Sequence, residues 1–307
     1  MSQRGTTGQP AAEVAALIPD IETLAVRLAA VDYLVDESLA TSLFLSARLP
    51  QPLLLEGEAG VGKTSAARAL AAVLDTPCIR LQCYEGIDAA EALYEWNYPR
   101  QLLSIRLADA GGDALREDDL FGPEYLSRRP LLRAIEHPGP RPAVLLIDEI
   151  DRADDEFEAF LLELLGEASV TIPELGPVVA THPPVIVLTS NRTRDLHDAV
   201  KRRCLYHWID FPAPARAVDI IRRRVPAASQ TLAVQVATAV SRIREDDVQK
   251  PPGIAEAIDW LAALDLLGVE ALDAESAGRT LGSVLKYGED QEVVRAGGFE
   301  KLVSSGG

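Results

Sequence analysis

Cysteine is nearly missing: Cys78, Cys83 and Cys204 are the only three in 307 residues. An odd, sparse count argues against a disulfide framework. Cys78 and Cys83 stand near each other with no second pair and no neighbouring histidine, which is not a zinc-ligand spacing. Both read as buried thiols. Aromatic residues are scarce at 5%, and base is outnumbered by acid, with Lys+Arg 30 against Asp+Glu 47 and a net charge of −17. A nucleic-acid surface usually carries a basic footprint, so this balance makes nucleic acid an unfavoured partner. No basic stripe interleaved with aromatics is present, and the dense basic runs are 201–203 and 222–224. No stretch approaches the ~18 apolar residues that cross a bilayer, and Met1 to Pro10 is polar. The expectation is a cytoplasmic chain with neither leader nor membrane span.

What remains is an ordinary globular composition, 48% apolar and 25% charged, long enough to bury a sizeable core. Residues 1–18 read as a flexible tail. Residues 19–48 carry helical periodicity through Leu24, Leu28, Leu39 and Leu43. Leu53-Leu54-Leu55 is a short apolar run of the buried parallel-strand kind. A glycine-rich turn and a helix from Lys63 to Leu74 follow it. Cys78–Gln82, Ala143–Ile147 and Val185–Thr189 read as further strands, with Trp208–Phe211 a fifth. Strands alternating with helices predict a parallel sheet sandwiched by helices, an α/β class. Beyond Pro212 and Pro214 strands give way to helical patterns, so 19–213 is expected as the α/β domain and 214–300 as an all-helical one. Residues 84–142 are the least regular. The acidic, glycine-containing Gly111–Asp119 suggests a mobile loop, Leu103-Ser104-Ile105-Arg106 could pair with 94–99, and Ser304–Gly307 looks frayed.

Gly57-Glu58-Ala59-Gly60-Val61-Gly62-Lys63-Thr64 fits G-x-x-x-x-G-K-[ST] in full. The glycines let the backbone turn its N–H groups on a phosphate, and the helix opening there adds its positive end. Lys63 neutralises phosphate oxygens, Thr64 offers a hydroxyl to Mg²⁺, and Ser65 completes the ATP contacts. The motif follows an apolar strand and opens a helix, the context that distinguishes it from a chance glycine turn. Val144-Leu145-Leu146-Ile147 ends in Asp148 and Glu149. Asp148 is the expected Mg²⁺-shell carboxylate and Glu149 the group that orients the attacking water. Val185–Ser190 leads to Asn191, expected beside the two acids at the same sheet edge.

With these elements in order the chain resembles the AAA+ ATPases, a P-loop NTPase architecture with a helical lid, and most of all the MoxR branch. Leu54 to Thr64, Ile147 to Ala153, Thr189-Ser190-Asn191, Leu196 to Cys204 and Ile209 to Pro212 carry the likeness. Tyr94-Glu95-Trp96-Asn97-Tyr98 and Lys201 to Trp208 look like the members that accompany carbon-monoxide-dehydrogenase-type molybdenum enzymes. The resemblance implies a homo-oligomeric ring, usually a hexamer, with ATP and Mg²⁺ at subunit interfaces. It implies an arginine acting in trans, first Arg203 and second Arg202, and a metalloenzyme client remodelled with a von Willebrand factor A domain partner. It implies inserts near 94–106 and 170–180, the second a β-hairpin, with Trp96 and Tyr98 as client contacts or a small satellite core. It places the adenine near Tyr33 and Leu34, where ordinary helix core is the other reading. One departure stands out. Many relatives start a lid helix with a nucleotide-sensing arginine, whereas Pro251-Pro252-Gly253-Ile254-Ala255-Glu256 has none; Arg279 or another base could substitute. A nucleic-acid-acting relative of the helicase- or clamp-loader kind, and a nucleotide-gated scaffold with little turnover, are the alternatives. Charge opposes the first and Glu149 the second.

Overall fold

The computed structural model describes residues 8–49, 51–111 and 116–303. They divide into two compact units. The first takes in residues up to Val31, then Val35–Glu56 and Thr64–His207; the second takes in Asp32–Leu34, Gly57–Lys63 and the chain from Trp208 on.

The first unit opens with α1 (Gly8–Leu17), α2 (Ile21–Ala30) and α3 (Glu37–Arg48). Asp20 and Asp36 cap α2 and α3, accepting from the backbone N–H of Thr23 and Leu39 at 2.7 Å each. The tail expected over 1–18 is therefore corrected: its residues 8–17 are helix, because Val14 and Ile18 find apolar surroundings and lie buried. Residues 1–7, and the frayed end expected at 304–307, lie outside the described residues.

The chain then alternates β1 (Leu53–Glu56), α4 (Lys63–Leu74), β2 (Cys78–Gln82), α5 (Ala89–Ala92), β3 (Tyr94–Trp96), α6 (Tyr98–Gly111), β4 (Leu126–Arg128), α7 (Pro130–Ile135), β5 (Val144–Asp148) and α8 (Asp155–Glu167). The hairpin β6 (Ser169–Ile172) and β7 (Gly176–Val179) follows, then β8 (Val185–Ser190), α9 (Asp198–Lys201) and β9 (Leu205–Trp208). The main sheet has the order β2-β5-β8-β1-β9. The pairs β2–β5, β5–β8 and β8–β1 are parallel, with Ile79 opposite Leu145, Leu145 opposite Ile186 and Leu53 opposite Val187. Every residue of β1, β5 and β8 is buried, so these strands read as unbroken apolar runs rather than alternating ones. Leu53, Leu54 and Leu55 are fully enclosed, each burial contributing about 1.5–3 kcal/mol.

Two local expectations change. Leu103–Arg106 is no strand: it lies within α6, and β3 pairs instead with β4, Tyr94 opposite Arg128 and Trp96 opposite Leu126. Leucine, arginine and alanine after Pro99 favour helix there. The fifth strand is Leu205–Trp208, not Trp208–Phe211. Half-buried Leu205 and His207 alternate with exposed Tyr206 and Trp208, the pattern of an edge strand, and Pro212 and Pro214 rule out extension. Of the loop expected over 111–119, residues 112–115 lie outside the described residues and Glu117–Phe121 is a short 3₁₀ turn.

The second unit packs α10 (Pro214–Arg224), α11 (Gln230–Glu245), α12 (Ile254–Leu266), α13 (Ala274–Val284), α14 (Gly288–Gly297) and α15 (Glu300–Val303). Its core gathers Ile221, Val236, Val240, Leu261 and Leu281 around fully buried Trp260. The Trp260 indole N–H donates to Thr280 Oγ1 at 2.7 Å, so the largest core side chain leaves no polar group unsatisfied.

Candidate active site

The acidic end of the site is built by three neighbouring strands. Asp148 ends β5, is only 2% exposed, and its carboxylate is held on both oxygens. Thr64 Oγ1 donates to Oδ1 at 2.9 Å, Thr189 Oγ1 donates to the same oxygen at 2.5 Å, and Arg80 Nε donates to Oδ2 at 2.8 Å. Burying a carboxylate is costly unless it is paired and hydrogen-bonded, and here hydroxyls and a guanidinium from β2, α4 and β8 meet that condition. Thr189 does double work: its hydroxyl also accepts from the backbone N–H of Glu149 at 2.9 Å.

Glu149 sits in the left-handed region at φ 55° and ψ 50°, a conformation costing of order 1–3 kcal/mol for a residue with a side chain. The Thr189 hydrogen bond to its N–H helps hold it. Its carboxylate accepts from Gln82 Nε2 at 3.0 Å and from Arg152 Nη1 at 3.1 Å. Asp151, two residues on and 2% exposed, gathers the loop after β8. Its Oδ2 accepts from the backbone N–H of Asn191 at 3.2 Å, the N–H of Thr193 at 2.9 Å and the Thr193 hydroxyl at 2.7 Å. The Asn191 loop is thereby tied to the turn that carries Glu149.

Gly57–Lys63 belongs to the second unit. Gly60 and Gly62 have φ of 77° and 99°, so side chains there would strain the turn. A Cβ on Gly60 would also stand 2.7 Å from a Glu256 carboxylate oxygen. Lys63, 7% exposed, folds back on the loop, its ammonium donating to the carbonyls of Gly57 at 2.8 Å and Glu58 at 2.7 Å. The Glu58 side chain, exposed in the loop, receives Arg244 Nη2 at 2.6 Å. Ala59 and Val61 complete the turn, and Ser65 is exposed on the first turn of α4. Tyr33 and Leu34 lie in the connection between α2 and α3, half-buried, not in a helix core. The Tyr33 hydroxyl donates to the Gly62 carbonyl at 3.3 Å.

The segment 251–256 closes on the same loop. Gly253 caps α12, its N–H donating to the Glu256 carboxylate at 2.9 Å, and the N–H of Ala255 donates to the Gly60 carbonyl at 3.3 Å. Glu256, an acid, is therefore the charged side chain that this segment brings to the Gly60 turn. Arg279 is exposed and pairs with Glu275 of its own helix at 3.8 Å; the arginine of the second unit that reaches the glycine-rich loop is Arg244.

Arg202 and Arg203 are exposed, Arg203 donating to the Ala199 carbonyl at 3.0 Å. Two residues later the N–H of Leu205 donates to the Pro52 carbonyl at 2.7 Å. The chain carrying both arginines thus enters β9 beside the start of β1. Trp96 is buried edge-on between Tyr94, at 6.0 Å, and Phe121, at 5.2 Å, and belongs to the main core of the first unit rather than to a separate satellite core, whereas Tyr98 is 60% exposed. Cys83 is buried and Cys204 half-buried, and desolvation pushes both thiols up to about 12.

An Mg²⁺ ion takes hard oxygen donors and keeps water and substrate phosphates in its remaining positions. The Thr64 hydroxyl and Asp148 carboxylate, 2.9 Å apart, are donors of that kind, and among the described residues no cluster of three or more acidic, His or Cys side chains offers an alternative. Sequence reasoning missed Arg80, Gln82, Thr189, Asp151 and Arg152. The available signal was position: Gln82 ends β2 and Thr189 is the last residue but one of β8, the two strands that flank β5.

The model of the AAA domain, dynein-related subfamily, matches residues 52–204. Protein NorQ of Paracoccus denitrificans (strain Pd 1222) is 26% identical over 179 residues, 56% of this chain. The match spans 57% of that protein's length. Among solved structures, the Thermotoga maritima RuvB Holliday junction branch migration motor aligns with TM-score 0.47 and 16% identity over 80% of this chain and 68% of its own. A mutant of the same motor aligns with TM-score 0.46 and 16% identity over 89% of this chain and 72% of its own.

Proposed function

The chain belongs to the AAA family through the dynein-related domain of residues 52–204, and on that premise we propose that it is a MoxR-type ATPase. It hydrolyses ATP in a homo-oligomeric ring and remodels a protein client, in the maturation of a metalloenzyme of the molybdenum hydroxylase kind. The observation that carries this reading is the Thr64 hydroxyl on the Asp148 carboxylate at 2.9 Å with Glu149 next in the chain. The likeness to NorQ is of the same MoxR-like type.

In this reading the N–H groups of Gly57–Gly62 and the Lys63 ammonium bind the β- and γ-phosphates. Ser65 and the Tyr33–Leu34 segment contribute further nucleotide contacts. Thr64 and Asp148 hold Mg²⁺, which when bound neutralises charge on the phosphate oxygens. Glu149 leaves its Gln82 and Arg152 contacts to orient the attacking water and accept its proton, and Asn191 holds that water against the γ-phosphate. Arg203, with Arg202 second, serves the neighbouring subunit. What supports a role toward an adjacent copy is that both arginines are exposed. A trans arginine contributes about 10³–10⁵ in rate.

The test is a mixing experiment. Light scattering records assembly with Mg²⁺ and ATP, and Arg203→Ala is then mixed with Glu149→Gln. A shared interface lets mixed rings regain part of the wild-type turnover, because some interfaces carry an intact Glu149 facing an intact Arg203. A monomer at every nucleotide concentration, or no regain on mixing, defeats the ring. For the client, retention of a molybdenum hydroxylase or a von Willebrand factor A domain protein by Glu149→Gln with ATP, and its release with ADP, is the expected result; equal retention in both states counts against remodelling.

A further inference from the structure

Glu58 is the one acid in the phosphate loop 57–64, and its charge has the wrong sign for a polyanion site. Its partner is Arg244, near the end of α11, at 2.6 Å. Arg244 is not a loose surface cation. Its side chain is 17% exposed, its Nη1 donates to the Pro252 carbonyl at 2.9 Å, and its guanidinium lies over the Phe211 ring at 4.3 Å. Three holds from three segments fix one planar group, which is what a guanidinium does and an ammonium does not. The Pro252 it holds leads into Gly253, where a Cβ would meet the Ala59 carbonyl at 2.7 Å and Gly60 Cα at 2.8 Å. The turn before α12 therefore rests directly on the phosphate loop, and Arg244 ties both together.

We propose that Arg244 is a positioning residue for nucleotide binding: a fixed counter-charge that neutralises Glu58 and makes the affinity of the loop for nucleoside polyphosphates depend on the placement of α11 and the Pro252 turn. With the helices in place Glu58 is paired and the loop accepts phosphates. Displacement of the helices leaves an unpaired carboxylate beside them and promotes release. Arg244 acts through Glu58, so its loss is repaired by removing the carboxylate. The inference rests on the reading of 57–64 as a nucleotide site.

The experiment titrates a fluorescent ADP analogue with Mg²⁺ into wild type, Arg244→Gln, Glu58→Gln and the double variant, at low and high salt. Arg244→Gln is chosen because glutamine keeps part of the stem over Phe211. The expected result is a loss of about tenfold in Arg244→Gln, the scale of one uncompensated charge near a polyanion, shrinking at high salt. Glu58→Gln stays within about twofold of wild type or binds tighter, and the double variant returns to within about threefold. A double variant as weak as Arg244→Gln, or a salt-independent loss, shows a packing role and overturns the proposal, as does an Arg244→Gln that binds like wild type. A wild type that binds no nucleotide at all defeats the nucleotide-site reading itself, and the inference with it. If Arg244→Gln does not fold, Glu58→Gln and Glu58→Lys still decide. Neither weakens binding if Glu58 only needs neutralising; a loss in both overturns the proposal.

Discussion

Replacing Asp151 by alanine should separate nucleotide binding from turnover. Asp151 is 2% exposed, and one carboxylate oxygen takes the N–H of Asn191, the N–H of Thr193 and the Thr193 hydroxyl at 2.7–3.2 Å. A hydrogen bond to a charged group contributes about 1.5–3 kcal/mol. The three share one oxygen, and Thr193 is exposed enough for water to replace part of what is lost, so the expected destabilisation is about 2–4 kcal/mol. At about 2 °C per kcal/mol for a chain of this size, the melting temperature should fall by roughly 4–8 °C. The effect on chemistry should be larger than the effect on binding. Asn191 rides on the released loop, and a displacement of about 1 Å at a reacting centre lowers rate by about 10²-fold. The phosphate loop hangs on Lys63 and the 251–256 segment instead. The assay is a thermal melt, a fluorescent-nucleotide titration and steady-state phosphate release on Asp151→Ala and Asp151→Asn, the asparagine retaining one acceptor and losing less. A variant that melts and turns over like wild type refutes the reasoning. So does one that loses binding in step with turnover.

Other outcomes follow from the same contacts. Gly253→Ala places a methyl group 2.7 Å from the Ala59 carbonyl, and should weaken nucleotide binding at least about fivefold in a titration while the melting profile stays cooperative. Leu145→Ala empties a fully buried site on β5 and should cost about 2–5 kcal/mol in denaturant unfolding. Thr189→Val keeps shape but removes the hydroxyl that bridges Asp148 and Glu149; phosphate release should drop by at least about tenfold, with little change in secondary structure by circular dichroism. Burial raises the thiols of Cys83 and Cys204 to about 12. A raised thiol pKa keeps the neutral form below it, so at pH 8 the thiolate fraction is about 10⁻⁴. Both cysteines should stay unmodified by iodoacetamide in native protein and react after denaturation, read by mass spectrometry.

The centre of the sheet was legible because β1, β5 and β8 are buried on both faces and so are written as apolar runs. Cys78–Gln82 needed no neighbours to find, nor did the helix from Lys63 to Leu74. The edge was harder. β9 alternates, and aromatic Trp208 drew the expected strand three residues too far. Leu103–Arg106 misled for a different reason: short leucine-rich pieces suit helix and strand alike, and only the β3–β4 pairing settles which. At the site, the positions of Asp148 and Asn191 at strand ends follow from the strands themselves. The partners that hold them do not. Thr189 and Gln82 matter because β8 and β2 flank β5, an order that connectivity does not state, and Arg244 meets Glu58 across 186 residues of sequence. The left-handed Glu149 could not be read from residue type, since glutamate rarely adopts that conformation.

The most direct test of the central claim is steady-state phosphate release with Mg²⁺ and ATP for wild type, Lys63→Ala and Glu149→Gln, with nucleotide binding measured on the same samples. Turnover in the wild type, loss of binding and turnover in Lys63→Ala, and retained binding without turnover in Glu149→Gln is the result the account predicts. A wild type that binds ATP yet releases no more phosphate than Glu149→Gln contradicts it.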